Sequence, residues 1–170
     1  ELVLNLSSQT SKTSLSKLLN NQNWIKSYLI KKNAFQPLEV FIETKDPKYI
    51  WQDRFYLDAD LTKFLYFGEY PELLHLYIPI ELVDRWSQVE DQIQAVMEAY
   101  NLKIFSVSYS EAAGWTFYTA NKLQINLGSD LSFNVFQKLS LTLKYIFEKN
   151  LTPSIIDLRY KDGAALNYGK

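Results

Sequence analysis

Side chains that could carry out catalysis or bind a metal are scarce in this chain of 170 residues. The chain has no cysteine, which excludes thiolate metal sites, disulfides and a cysteine nucleophile, and its one histidine is His75. No second histidine can share a metal with His75, and no Gly-x-Ser-x-Gly sequence surrounds a serine. His75 stands beside Leu73, Leu74 and Leu76, a setting typical of a structural histidine. We therefore expect no catalytic residue, no metal site and no cofactor.

Two pairs of acidic residues could act as acids, bases or cation ligands. Asp58 and Asp60 provide too few oxygens for calcium without the glycine and distal glutamate of a full binding loop. Sugar hydrolysis would need one carboxyl in an apolar pocket that raises its pKa. Short acidic side chains favour turns between strands, so we interpret residues 58–60 as a turn. Glu90 and Asp91 fall in a predicted helix, where we expect both to face solvent.

The composition excludes several classes of protein. Eighteen basic and nineteen acidic side chains give a formal net charge of -1, and no run of lysine or arginine provides the basic surface of a nucleic-acid-binding protein. The five glycines, no two closer than six residues, cannot form a phosphate loop. Hydrophobic residues make up 47% of the chain, which is enough for a core. The most apolar stretch, residues 64–83, contains charges and prolines that prevent it from spanning a membrane.

Apolar residues at intervals of three and four predict two amphipathic helices. The first covers residues 82–100 and ends at Asn101. The second covers residues 131–147, with Ser129 or Asp130 as its N-cap and Asn150 at its exit. A shorter helix is expected at residues 14–20.

Most of the remaining chain is predicted to form strands, because it is rich in β-branched and aromatic residues and several segments alternate apolar with polar. The predicted strands are 1–6, 24–31, 38–44, 49–53, 103–110, 114–120, 122–127, 155–160 and 164–168. Residues 119–122 predict a tight turn, and Asp162-Gly163 predicts a type I′ turn. Runs of strands separated by single helices predict an α+β fold, and residues 45–48 are expected to separate two domains.

The carboxyl-terminal segment is the strongest candidate for a binding surface. We expect Asp157 and Arg159 on one face of its first strand, with Ile156, Leu158 and Tyr160 on the other. Its last strand has neither the charge nor the proline that natural sheet edges use to block pairing. Two interpretations remain. The strand completes the sheet, or it accepts a partner's strand, with backbone bonds providing affinity and side chains such as Tyr160 providing selectivity.

This segment resembles the closing signature of the FtsQ/DivIB family of bacterial cell-division proteins, an apolar residue followed by Asp-Leu-Arg-Tyr-x-x-Gly-x-x and a second apolar residue. Here it reads Ile-Asp-Leu-Arg-Tyr-Lys-Asp-Gly-Ala-Ala-Leu, from Ile156 to Leu166. Residues 114–128, which begin Gly-Trp and end Leu-Gly, are similar to the family's tryptophan-containing hairpin. Residues 23–32 and 37–47 resemble the second half of its POTRA domain.

The resemblance includes smaller features and some departures. Leu57-Asp58 resembles the apolar-Asp turn that opens the family's second domain. Leu61 and Ile78 stand at positions where the family often has glycine. Between Leu6 and Trp24 there is room for one short helix, where a POTRA domain normally has two.

The resemblance implies a small POTRA-like βαββ domain at residues 1–46. A mixed-sheet β-domain with two packed helices and a C-terminal edge strand would follow at residues 47–170. It also implies that the chain is the periplasmic part of a single-pass inner-membrane protein at the division septum, with its N-terminal transmembrane helix missing from this sequence.

The resemblance further implies a non-enzymatic divisome scaffold that binds the division proteins FtsB and FtsL by strand addition. Such a scaffold helps to recruit and regulate septal peptidoglycan synthesis. The implied surface consists of Arg159, Tyr160, Asp162, Gly163, Ala164, Ala165, Leu166 and Tyr168, with Arg159 as an ion-pair donor. The alternative is a secreted peptidoglycan- or carbohydrate-binding module, or a cell-wall hydrolase that uses Asp58 and Asp60.

Overall fold

The computed structural model describes residues 2–6, 11–32, 37–65, 70 and 72–169. Glu1, the first residue of a predicted strand, lies outside the described residues. The chain forms two compact units. The first unit contains Glu1–Lys48 and Arg54–Tyr70, and the second contains Tyr49–Asp53 and Pro71–Lys170. The domain boundary between residues 46 and 47 stays a prediction.

The first unit begins with a βαββ arrangement. Its elements are β1 (Leu2–Leu6), α1 (Lys12–Asn20), β2 (Ile25–Lys31) and β3 (Leu38–Thr44). The sheet is antiparallel with β3 in the middle, in the order β1-β3-β2. Apolar residues at every second position of β3 line one face, since side chains alternate along a strand. Leu38, Val40 and Ile42 are buried there with Ile30 and with Leu19 of α1.

The next strand, β4 (Tyr49–Trp51), belongs to the second unit, whereas the hairpin of β5 (Phe55–Leu57) and β6 (Lys63–Phe64) belongs to the first. The turn predicted at residues 58–60 connects this hairpin and is confirmed. The Asp58 carboxylate accepts hydrogen bonds from the backbone N–H groups of Asp60 at 3.1 Å and Thr62 at 2.8 Å. It also lies 3.5 Å from the Lys45 ammonium. These contacts give Asp58 a structural role in the turn.

The second unit contains a mixed sheet and three helices. After β4, its elements are β7 (Leu74–Tyr77), a 3₁₀ turn (Ile80–Leu82), α2 (Val83–Ser87), α3 (Glu90–Glu98), β8 (Ile104–Ser110), β9 (Gly114–Thr119), β10 (Gln124–Gly128), α4 (Phe133–Glu148), β11 (Ile155–Asp157) and β12 (Ala165–Asn167). The strands of this unit follow the order β12-β11-β10-β9-β8-β7-β4. The β4–β7, β7–β8 and β10–β11 pairs are parallel, and the others are antiparallel. The predicted α+β class is confirmed.

One face of this sheet is covered by helices. The ring of Trp86 in α2 packs against Trp115 and Phe117 of β9, with ring centroids 6.5 and 5.3 Å apart. All three side chains are fully buried. Thr116 alternates with these two β9 residues and therefore lies on the opposite face, where its hydroxyl donates to the Asn126 side chain at 3.3 Å.

The first predicted long helix is interrupted. Val89, with φ of -114°, lies between α2 and α3, and its N–H bonds to the Trp86 carbonyl only three residues back. The break brings Glu90 into the interior, where it is 6% exposed and accepts a hydrogen bond from the Tyr49 hydroxyl at 2.5 Å. The expectation that Glu90 faces solvent was therefore wrong, whereas Asp91 is exposed as expected. Burial of Tyr49 raises the pKa of its hydroxyl, which stays a donor to Glu90.

Asparagines end the second and third α-helices of this unit, as predicted. Asn101 follows α3 with φ of 54°, and Asn150 follows α4 with φ of 52°. Asparagine tolerates this left-handed conformation better than most residues. The N-cap of α4 is Ser132, not Ser129 or Asp130, so the helix begins two residues later than predicted.

Candidate binding edge

The strand β12 lies at one end of the strand order in the second unit. It pairs antiparallel with β11, and the paired residues are Ile155 with Asn167, Ile156 with Leu166, and Asp157 with Ala165. Ala165 is exposed and Leu166 is half-buried, because Leu166 shares the face of the buried Ile156. An edge strand leaves alternate N–H and C=O groups available to an additional strand.

The connection from β11 to β12 differs from the predicted type I′ turn. Residues 158–164 separate the two strands, and neither Asp162 nor Gly163 has a positive φ. The chain leaves the β11–β12 ladder because Leu158 enters the core and its N–H bonds to the Asn126 carbonyl of β10 at 2.8 Å. Both strands are therefore shorter than predicted, and Tyr160 lies in the loop.

An ion pair fixes the start of this loop. The Arg159 guanidinium donates to both carboxylate oxygens of Asp157, with distances of 2.6 to 3.1 Å, and the Arg159 backbone N–H bonds to the same carboxylate at 3.1 Å. The hydrogen bonds from Arg159 hold the pKa of the Asp157 carboxyl below its usual range. Arg159 is thus already paired within the chain, although its side chain is 47% exposed.

Lys138 of α4 holds the middle of the loop. Its ammonium donates to the Leu158 carbonyl at 3.0 Å and to the Tyr160 carbonyl at 2.5 Å. The Tyr160 side chain itself is 59% exposed. A cleft of about 450 Å³ lies beside this contact and is lined in part by Gly128, Lys138 and Tyr160.

The other predicted site residues also lie on this loop and strand. Asp162, Gly163 and Ala164 are exposed, and Tyr168 is 52% exposed. The end of β12 is fixed because the Asn167 carbonyl accepts a bond from the Ser154 N–H at 2.8 Å. Of the eight predicted residues, Arg159 to Ala164 therefore lie on the loop, Ala165 and Leu166 lie in β12, and Tyr168 follows it. Sequence reasoning missed Lys138, and no local pattern distinguishes it from Lys144, the other lysine of α4.

His75 has structural contacts. Its Nδ1 atom lies 2.9 Å from the Asp53 carboxylate, and its ring stacks on Phe105 with centroids 4.8 Å apart. Within the described ranges, no three histidine, aspartate or glutamate side chains come together in a way that could hold a metal. The helices described also include none that is long and apolar enough to cross a membrane.

Comparison with known proteins finds two curated relatives, both cell-division proteins. The chain is 22% identical over 157 residues to the cell division protein FtsQ of Aliivibrio fischeri, covering 85% of this chain and 57% of that protein. It is 21% identical over 155 residues to the FtsQ of Neisseria meningitidis serogroup B, covering 85% and 62%. The chain is thus similar to FtsQ proteins over most of its length. No family model matches it, and this FtsQ-like chain spans about six tenths of the length of these curated relatives.

Proposed function

We propose that this FtsQ-like chain is the extracytoplasmic part of a non-enzymatic cell-division protein that accepts a strand from FtsB, in complex with FtsL, at β12. The observation that carries the proposal is the position of β12 at the edge of the sheet. Residues 164–168 carry no charge, and all of them except the half-buried Leu166 are exposed. Such an edge provides backbone hydrogen bonds to an extended segment.

The side chains around this edge support selectivity for one partner. Tyr160 offers a large exposed ring on a loop whose backbone is held by α4. Aromatic side chains of this kind dominate binding energy when a partner covers them. The proposed surface consists of Arg159, Tyr160, Asp162, Gly163, Ala164, Ala165, Leu166 and Tyr168.

The proposed cellular role follows from the same family. The chain would act on the periplasmic side of the inner membrane at the septum, held by a transmembrane helix outside this sequence. There it would help to recruit and regulate septal peptidoglycan synthesis. The proposed organisation is a POTRA-like domain at residues 1–46 and a β-domain at residues 47–170. The division of the chain into two compact units supports the number of domains, whereas Arg54–Tyr70 group with the first unit.

A binding measurement with the exterior segment of FtsB from the same bacterium tests the proposal. We expect Tyr160→Ala to weaken binding about tenfold or more, which corresponds to about 1.4 kcal/mol. Tyr145→Ala on α4 is the matched control, because Tyr145 is similarly exposed at 54% but lies outside the proposed surface. Ala165→Lys should also weaken binding without unfolding the chain, since Ala165 is exposed. If neither Tyr160→Ala nor Ala165→Lys changes the affinity, β12 is not the interface.

A further inference from the structure

Lys138 is the residue of α4 that connects this helix to the loop before the edge strand. Its ammonium donates to the carbonyls of Leu158 and Tyr160, at 3.0 and 2.5 Å. Both bonds are charge-assisted, and such bonds are shorter and stronger than those between neutral groups. Lys138 therefore holds the backbone on both sides of Arg159.

The helix that contains Lys138, α4, is packed firmly against the core of the second unit. Its opposite side is buried through Phe136, Leu139, Leu143 and Ile146. A helix anchored by several buried side chains does not follow the movements of a surface loop. A bond from Lys138 thus ties the loop to the core of the second unit.

The Lys138 contact extends beyond the other fixed points of the loop. Leu158 is fixed by its burial and by its bond to Asn126, and Arg159 is fixed by Asp157. The bond from Lys138 to the Tyr160 carbonyl fixes the backbone of the next residue, which carries the exposed ring and precedes the segment that leads to β12.

We propose that Lys138 is a positioning residue for the partner-binding surface. It holds residues 158–160 so that the Tyr160 ring and β12 already have the conformation that a partner strand accepts. Preorganisation of this kind raises affinity because less order has to be created when the partner binds. The inference rests on the proposed function, since it names the residue that prepares the same surface.

Three variants of the full chain test this role. Lys138→Met keeps the length of the side chain but removes its donors, whereas Lys138→Arg keeps donors at the same position. Lys144→Met is the matched control, because Lys144 lies on the same helix with 63% of its side chain exposed. Two quantities are measured, the hydrogen exchange of the backbone amides in residues 159–167 and the affinity for the FtsB exterior segment.

We expect Lys138→Met to speed the exchange of these amides and to weaken binding about tenfold. Lys138→Arg should retain most of the slow exchange and most of the affinity. Lys144→Met should change neither the exchange nor the affinity. The melting temperature of Lys138→Met should stay close to that of the wild type, which separates a loop effect from general unfolding.

The two measurements distinguish the possible failures. Unchanged exchange in Lys138→Met would show that Lys138 does not hold the loop and would overturn the inference. If the amides of Lys138→Met exchange faster but its affinity for FtsB is unchanged, Lys138 orders the loop without contributing to binding, and the proposed positioning role is wrong. If the wild type itself does not bind FtsB, the proposed function fails, and the inference about partner positioning fails with it. The exchange data would still show whether Lys138 orders the loop.

Discussion

Two glycines at the ends of the β9–β10 hairpin are packed backbone against backbone. Gly114 has φ of 73°, and a Cβ atom there would lie 2.1 Å from the carbonyl carbon of Gly128. Gly114→Ala should therefore lower the free energy of unfolding by about 3 kcal/mol, because backbone atoms cannot move aside cheaply. Gly163→Ala is the control, since nothing lies within 4 Å of a Cβ at that position. Urea unfolding measures both variants, and a stable Gly114→Ala protein would contradict the close packing.

Leu61 and Ile78 stand at positions where the FtsQ/DivIB family that the chain resembles often has glycine. Replacing each with glycine should change the free energy of unfolding in opposite directions. Leu61 has φ of 59°, a conformation that disfavours a side chain, so Leu61→Gly should stabilise the protein by about 1 kcal/mol. Ile78 is fully buried, and Ile78→Gly should cost about 4 kcal/mol through the cavity it leaves. Thermal unfolding should shift upward for the first variant and downward for the second. Shifts of the same sign would show that backbone strain does not matter at Leu61.

At the scale of elements, Asp157 at the end of β11 should make the free energy of unfolding depend on pH. Arg159 lowers the pKa of the Asp157 carboxyl in the folded chain. The stabilisation is therefore present above the unfolded pKa of about 3.9 and is lost as the pH falls through the lower folded value. Asp157→Asn removes this contribution.

Urea unfolding of the wild type and Asp157→Asn across the pH range checks the expectation. The difference in the free energy of unfolding should be largest at neutral pH and should shrink below about pH 4. Asp162→Asn, in the exposed part of the same loop, is the control. A difference that stays constant down to about pH 2 would mean that the ion pair does not contribute to stability.

Elements with a clear local pattern could be predicted from the sequence, and elements shaped by distant contacts could not. The predicted bounds of β3 are correct because Leu38, Val40 and Ile42 alternate without interruption. The break before α3 places Glu90 against Tyr49, 41 residues earlier in the chain, and no local pattern indicates this contact. The prediction of a type I′ turn at Asp162-Gly163 was wrong for a similar reason. The burial of Leu158 ends the β11–β12 ladder before these residues.

At the scale of the whole molecule, the candidate site was predictable only in part. The lack of charge or proline between Gly163 and Tyr168 predicted an exposed edge, and the structure has β12 at that edge. The support from Lys138 was not predictable, because its bonds cross 20 and 22 residues and depend on how α4 packs. A sequence can thus identify an open edge but not what holds it in position.

The near-neutral charge and the uncharged edge together predict how binding responds to salt. The net charge is -1, residues 164–168 carry no charge, and Arg159 is paired with Asp157. Binding should therefore depend mainly on burial of the Tyr160 ring and on backbone hydrogen bonds, both of which salt screens little. We expect the affinity for the FtsB segment to change less than about threefold between about 50 and 500 mM NaCl.

A titration over this salt range, repeated with Asp157→Ala, is the measurement. The variant releases Arg159 from its partner, so its binding should become more salt-dependent than that of the wild type if an acidic group of FtsB lies within reach. A protein that binds through many charge pairs, as nucleic-acid-binding proteins do, loses about 10³ or more in affinity over a smaller range. A loss of about tenfold or more in the wild type would show that charges rather than the strand edge hold the complex.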